Sequence, residues 1–228
     1  MIKLVVVRHG ESIWNLENKF TGWTDVDLSS NGIEEARNAG ILLKEKGFTF
    51  DLAYTSFLKR ANETLMLILD ELNLKNIEIR KSYKLNERHY GALQGLNKDE
   101  TRVKYGEEKV KLWRRSFDVK PPLLTYDDPR FPGNENIYKE IPKDKLPLGE
   151  SLEDTLKRVK EYYEEEIKKE LLNKRNIIIS AHGNSLRALI MYLEKISKED
   201  IVNLEIKTGS PIVIEFDDEL NFIRRYYL

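Results

Sequence analysis

The chain of 228 residues has no cysteine, only three histidines, and no apolar run long enough to cross a bilayer as a helix. Without cysteine there can be no disulfide, no thiolate nucleophile and no cysteine-ligated zinc, and the composition fits a reducing compartment. The apolar run at 4–7 is too short for the core of a signal peptide, and a membrane helix needs roughly 18 or more apolar residues. A cytoplasmic protein is expected. An excess of either charge is also lacking. Charged residues make up 34% of the chain, yet the formal net charge is -1. No global field favours nucleic acid or an anionic membrane, so any anion site must come from local clustering and the expected partners are small molecules.

At this length one compact domain, 1–228, with a single insertion is the natural expectation. Strand signals near 3–7, 51–55, 76–80, 176–181 and 211–217 alternate with long helical patterns, and 222–227 adds a further strand candidate. This is the rhythm of an α/β fold with a mostly parallel central sheet flanked by helices. Leu58, Ala61, Leu65, Leu69 and Leu72 form one helical face directly after the strand around Leu52. Ser151 with Asp154 reads as a capping box, after which Leu152, Leu156, Val159, Tyr163, Ile167 and Leu171 continue a long helix into the strand around Ile177. The acidic and basic clusters at 164–169 read as that helix's solvated face. Residues from about 91 to 149 break the alternation. Two short helical patterns there precede a stretch containing Pro121-Pro122, Pro129, Pro132-Gly133, Pro142 and Pro147. Its interleaved Tyr126, Phe131 and Tyr138 favour an ordered cover over a disordered loop.

Two of the three histidines occupy matching contexts. Arg8-His9-Gly10 follows the apolar run 4–7, and Ala181-His182-Gly183-Asn184 follows 177–179. Continuous apolar runs are typical of strands buried on both faces, and the carboxyl ends of such strands form the ligand crevice of open α/β sheets. An imidazole, with an ordinary pKa of about 6.5, can serve there as a neutral nucleophile or a charged stabiliser. A lone histidine is more often a structural hydrogen-bonding residue, so the surroundings must decide. Gly10 lets a ligand approach the backbone, and Ser12, Asn15, Thr21 and Gly22 offer hydroxyl, amide and N–H donors suited to phosphate oxygens. Gly183, Asn184 and Ser185 open a helix whose free N–H groups make a second anion site beside His182. Arg60 lies early in its helix, where a cation opposes the helix dipole at a cost of roughly 0.3–1 kcal/mol. An anion in front of it would remove the conflict; a surface arginine turned to solvent is the plainer alternative. Lys98, Arg114 and Arg115 are unexceptional singly and gain weight only jointly. Glu87, after the 76–80 strand, reads alone as a surface charge, but near bound phosphate its carboxyl would be a usable proton donor.

Taken together, Arg8-His9-Gly10-Glu11-Ser12 with Asn15, Phe20-Thr21-Gly22-Trp23, Thr55-Ser56 with Leu58-Lys59-Arg60-Ala61, the block 85–98, and 181–187 resemble cofactor-dependent phosphoglycerate mutase over the whole chain. Arg-His-Gly alone marks the broader histidine phosphatase superfamily. The block Leu85-Asn86-Glu87-Arg88-His89-Tyr90-Gly91-Ala92-Leu93-Gln94-Gly95-Leu96-Asn97-Lys98 and the Arg114-Arg115 pair are specific to the mutase branch.

The resemblance implies the three-layer phosphoglycerate mutase-like fold and interconversion of 3-phosphoglycerate and 2-phosphoglycerate, a step of glycolysis and gluconeogenesis. It makes His9 the phosphorylated nucleophile, Glu87 the general acid and base, and His182, Arg8 and Arg60 the stabilisers of the transferring phosphoryl group. Ser12, Asn15, Thr21, Gly22, Gly183 and Asn184 would contact phosphate or hydroxyl groups. Arg88, Tyr90, Lys98, Arg114 and Arg115 would hold the carboxylate and second phosphate of the glycerate. The cofactor it implies is 2,3-bisphosphoglycerate, which primes His9; no metal is expected, since cations and N–H donors neutralise the phosphoryl oxygens. By the same analogy the chain forms a homodimer or homotetramer. Family members commonly continue past the final Tyr-Tyr-Leu with a lysine-bearing tail that helps cover the site; here the sequence stops at Leu228, which bears on closure and on the balance of mutase against phosphatase activity. A phosphomonoesterase of the same superfamily is the nearest alternative, although simple hydrolysis needs no second anion clamp. A catalytically silent phosphate-binding protein is the remote one.

Overall fold

The computed structural model describes residues 1–228. Its strands are β1 (Ile2–Arg8), β2 (Leu52–Thr55), β3 (Glu78–Lys81), β4 (Ile177–Ala181), β5 (Ile212–Phe216) and β6 (Phe222–Tyr227). They form one sheet in the order β3-β2-β4-β1-β5-β6. The β1, β2, β3 and β4 pairings are parallel, while β5 runs antiparallel to both β1 and β6. The mostly parallel sheet expected from the sequence is present, and the 222–227 candidate is its last strand.

Helices cover both faces. On one side α2 (Ser30–Glu45) and α3 (Lys59–Glu71) enclose a core that includes Val5, Val7, Leu43, Leu65, Ile68 and Ile178. On the other, α6 (Leu152–Tyr162), α7 (Lys168–Leu172) and α8 (Gly183–Glu194) enclose the larger core around Leu4, Val6, Ile177, Ile179, Val159 and Leu189. Alternate side chains of β1 and β4 go to opposite cores, which is why their sequences are continuously apolar over 4–7 and 177–179. The remaining helices are the short α1 (Ile13–Leu16), α4 (Lys98–Tyr105) and α5 (Glu107–Arg115). No helix is long and apolar enough to cross a membrane.

The long helix expected after Ser151 is present with one modification. Its capping box forms, with Ser151 Oγ accepting from Asp154 N at 3.1 Å and Ser151 N donating to Asp154 Oδ2 at 2.9 Å. Between α6 and α7 the backbone widens into a π-helical turn over Tyr163–Ile167. The apolar positions 159, 163, 167 and 171 recur every four residues, slower than the α-helical period of about 3.6, and a widened turn rephases them. Tyr163, Ile167 and Leu171 consequently all stay buried.

The 91–149 insertion begins with a 3-10 turn (Gly91–Leu93), runs through α4 and α5 and continues as short 3-10 turns. Phe131, Tyr138 and Leu146 bury against Trp23, and Trp23 stacks on Tyr138 with ring centres 5.1 Å apart. Tyr126, expected in the same cover, is 59% exposed and only its edge meets Phe131. The cover is therefore anchored on Trp23 by Phe131, Tyr138 and Leu146, and at its start by Leu93, Val110 and Trp113, which bury with Phe20, while Tyr126 stays outside.

Candidate functional site

Strand register brings the two histidines together. Arg8 pairs with Ala181 across β1 and β4, and His9 N donates to Ala181 O at 3.0 Å. The next residue of each strand is then a histidine, and the rings of His9 and His182 lie 5.1 Å apart. His9 is 2% exposed and His182 is fully buried. The ring of His9 has a defined tautomer, because Nδ1 lies 2.6 Å from Gly10 O, an acceptor only. Its proton must sit on Nδ1, leaving Nε2 unprotonated with its lone pair as an acceptor. Burial, reinforced by the positive charges of Arg60 and Arg8, holds the His9 pKa well below its usual value, so the ring is neutral at pH 7. A neutral imidazole with an unprotonated Nε2 is the form a nucleophile requires.

The peptide of Gly10 is itself held by a close backbone approach. A Cβ on Gly10 would stand 2.2 Å from Gly32 O, and one on Gly32 would stand 2.0 Å from Glu11 O. Only two glycines allow the start of α2 to lie against the loop after β1 at this distance.

Arg60 resolves the conflict noted in the sequence by turning inward. It is 1% exposed, with Nη2 donating to Gly22 O at 2.7 Å, Nη1 to Thr24 O at 2.9 Å and Nε to His9 Nε2 at 3.4 Å. Burial lowers its pKa to about 10, which leaves it cationic at neutral pH. Gly22, with φ +56°, presents the carbonyl that Arg60 uses. Arg8 donates from Nη1 to Ile206 O at 2.8 Å, while its buried Nε has no protein partner. That group faces Gly183, where a Cβ would be 3.3 Å from Arg8 Nε and 3.7 Å from Glu87 Oε2.

Glu87 enters from the segment after β3. Its Oε1 accepts from Arg88 N at 2.8 Å and from Asn184 N at 2.9 Å, the latter at the N-terminus of α8. One oxygen is thereby fixed and Oε2 is left for a ligand. Asn184 is oriented in turn, its Oδ1 accepting from Arg187 Nη1 at 2.8 Å and its Nδ2 donating to Tyr90 Oη at 3.2 Å.

These groups line a cleft of about 340 Å³ that also takes in Asn15, Thr21, Gly22, Lys98, Arg114, Arg115 and Gly183. Eight cationic side chains face it against two carboxylates, Glu87 and Glu205. Burial and repulsion from Arg114 and Arg8 bring the Lys98 pKa down to about 8, and burial likewise lowers Arg114 and Arg187. Mutual repulsion of this kind marks a site built around an anion.

Thirteen of the sixteen residues singled out in the sequence line this cleft; three do not. His182 stands behind His9, its Nε2 2.7 Å from Ser56 Oγ, and burial with the field of Arg60 keeps it neutral. Ser12 is fully buried and caps α1, accepting from Asn15 N at 3.0 Å, so it shapes the turn that carries Asn15 and does not itself line the cleft. Arg88 corrects the expectation most clearly. It was expected to hold the glycerate, but its guanidinium is fully buried and turned toward main-chain carbonyls, donating to Trp113 O, to Glu150 O at 2.7 Å and to Val119 O at 3.4 Å. These bonds tie Arg88 to the end of α5 and the loop before α6, outside the cleft lining, with only its buried Nη1 left without a protein partner. Sequence reasoning missed Lys19, Arg187, Glu205 and Lys207, which also line the cleft. Arg187 had a signal, since it follows Asn184 by three residues on one helical face. The 205–207 segment had none.

A family model of the histidine phosphatase superfamily (branch 1) matches residues 4–130 and 124–228. The chain belongs to this superfamily. Its fold is shared with solved structures of low sequence identity. A mycobacterial glucosyl-3-phosphoglycerate phosphatase complexed with VO3 superposes with a TM-score of 0.74 at 21% identity, over 100% of this chain and 97% of that one. An Escherichia coli chain assigned as an α-ribazole-5'-P phosphatase gives a TM-score of 0.74 at 21% identity, over 100% and 96%. The α-ribazole phosphatase of Shigella flexneri gives 0.70 at 22% identity, over 98% and 95%.

Proposed function

We propose that this histidine phosphatase superfamily member is a 2,3-bisphosphoglycerate-dependent phosphoglycerate mutase that interconverts 3-phosphoglycerate and 2-phosphoglycerate through a phosphohistidine at His9. The supporting observation is the second cationic group in the cleft, Lys98, Arg114 and Arg115, in addition to the Arg8 and Arg60 pair beside the nucleophile. Removing one phosphate by hydrolysis needs a single anion site. Holding a glycerate that carries a carboxylate and two phosphates needs more.

The residues present fit 2,3-bisphosphoglycerate, since its charge matches the excess of cations and the buried Arg8 Nε has a donor to spare. When bound, that cofactor supplies the phosphoryl group that primes His9. The chain's own groups account for the rest. In this reading His9 Nε2 attacks phosphorus in line, forming the N–P bond as the bond to the leaving oxygen breaks. Glu87 Oε2 gives its proton to that oxygen and later recovers one from the acceptor hydroxyl. Arg8 and Arg60, with the positive end of the α8 dipole, neutralise the three equatorial oxygens, the main requirement of phosphoryl transfer. The 91–149 cover, held to Trp23, helps keep water from the phosphohistidine.

The decisive experiment incubates the purified protein with 3-phosphoglycerate, with and without 2,3-bisphosphoglycerate, and measures 2-phosphoglycerate and inorganic phosphate. Production of 2-phosphoglycerate that depends on the bisphosphate supports the mutase. Phosphate release with little 2-phosphoglycerate refutes it in favour of a phosphomonoesterase, the activity named for the structural relatives.

A further inference from the structure

Glu87 lies on a stretch without strand or helix pairing, beyond the single 3-10 turn Tyr83–Leu85. Its backbone must therefore be held by side chains. One side chain does most of this. Arg158, on α6, donates from Nη1 to Lys84 O at 2.8 Å and Asn86 O at 2.9 Å, and from Nη2 to Glu87 O at 2.8 Å. Its Nε and Nη2 also pair with Glu150 Oε2 and Oε1, both at 2.8 Å. A guanidinium has five N–H donors, and here all five are engaged in one rigid fork.

The other side of the segment is tied to the same ion pair. Glu150 Oε1 accepts from His89 N at 2.8 Å, and Glu150 N donates to His89 O at 2.8 Å. Trp23 Nε1 adds a second donor to Glu87 O at 2.5 Å. Arg158 and Glu150 are only 10% and 6% exposed at their side chains, so the pair is shielded from water. Neither lines the cleft.

We propose that Arg158, fixed by Glu150, is the positioning residue of Glu87: it sets where Oε2 sits relative to the leaving oxygen and acts on proton transfer without touching the substrate. This rests on the reading of Glu87 as the acid and base. A lysine has three donors on a flexible stem and cannot reproduce the fork, so Arg158→Lys keeps the charge beside Glu150 but loosens the segment. Trp23→Phe keeps the ring in its stack and removes only the N–H to Glu87 O.

The test compares two phosphoryl donors. The p-nitrophenolate leaving group departs without a proton, whereas the alkoxide of 2,3-bisphosphoglycerate needs one. Single-turnover phosphorylation of His9 is measured by rapid quench with each donor for wild type, Arg158→Lys, Trp23→Phe and Glu87→Gln. For Arg158→Lys and Trp23→Phe we expect a loss on the order of tenfold or more with the bisphosphate, and little loss with p-nitrophenyl phosphate. Glu87→Gln should show the same split, enlarged. Equal losses on both donors, or none, in the presence of a split for Glu87→Gln overturn the role of Arg158. Absence of a split in Glu87→Gln overturns the acid–base reading beneath it. Should Arg158→Lys fail to fold, Glu150→Gln, which keeps the Arg158 charge but weakens the carboxylate that fixes it, takes its place: the same split is expected, and equal losses on both donors or none overturn the role.

Discussion

Binding of a phosphorylated ligand in the cleft should take up protons near pH 8, and Lys98 is the reason. Its pKa in the free protein is brought down to about 8 by burial and by the charges of Arg114, Arg8 and Arg115, with Glu87 acting in the opposite direction. A bound polyanion offsets that repulsion and restores the ammonium toward its ordinary pKa of about 10.4. The sign follows directly. A group whose pKa rises on binding makes affinity flat below the free-state value and lets it fall as pH climbs toward the bound-state value. With a free-state pKa of about 8, Lys98 is roughly 90% protonated at pH 7 and roughly 10% at pH 9, so affinity should fall about tenfold between them. The ligand adds little of its own, because the second ionisation of a phosphate monoester, near pKa 6, is nearly complete over this range. Titration calorimetry with 3-phosphoglycerate at pH 8, in two buffers of different ionisation enthalpy, should read an uptake of about half a proton per site. Lys98→Met should bind more weakly and lose the pH dependence. An affinity that stays level from pH 7 to 9, or a pH dependence that survives in Lys98→Met, would refute the electrostatic account of this cluster.

Further expectations concern the glycines and one cap. Gly183→Ala places a methyl against Arg8 Nε and Glu87 Oε2; turnover should drop on the order of tenfold while the melting temperature stays near wild type. A loss of fold instead would show that Gly183 is needed for the helix start and not for the site. Gly22→Ala meets both φ +56° and a Cβ position 2.0 Å from Gln94 Oε1, so urea unfolding should report a destabilisation of about 1–3 kcal/mol or more, with weaker anion binding as Arg60 loses its anchor. Unchanged stability would contradict this. Ser151→Ala removes the N-cap of α6 and should cost about 1–2 kcal/mol by the same measurement, with the leaving-group behaviour of the enzyme unaltered.

Much of the fold was legible because burial on both faces leaves an unbroken apolar signature. The runs at 4–7 and 177–179 marked two central strands, and their endings marked the two histidines. Arg60 was legible for a different reason, as a cation at the wrong end of a helix. What could not be read was direction. Arg88 and Arg114 look alike in sequence, yet one is consumed by carbonyls of α5 and the loop before α6 while the other faces the cleft. The choice depends on segments more than twenty residues away, and no local pattern carries it. The same holds for Arg158, which sits on an ordinary amphipathic helix and is set apart only by the carbonyls of 84–87 that come to meet it. The segment 205–207 reaches the cleft because Gly209 N bonds Arg8 O, a contact that exists only after β1 and β5 have paired. The π-turn is an intermediate case, since the four-residue spacing from 159 to 171 was visible but its remedy was not.

The apposition of Gly10 and Gly32 has a consequence for the nucleophile. The carbonyl that dictates which ring nitrogen of His9 keeps its proton belongs to a peptide wedged against the first turn of α2. Here the tautomer is encoded by missing atoms: two positions more than twenty residues apart must both lack a side chain for the Gly10 carbonyl to hold the His9 proton on Nδ1. Such a constraint has no compensating partner. A methyl at either glycine cannot be offset by shortening its neighbour, which already has nothing to give up. The pair therefore behaves as a single indivisible element of the active site, although neither glycine meets the ligand through a side chain.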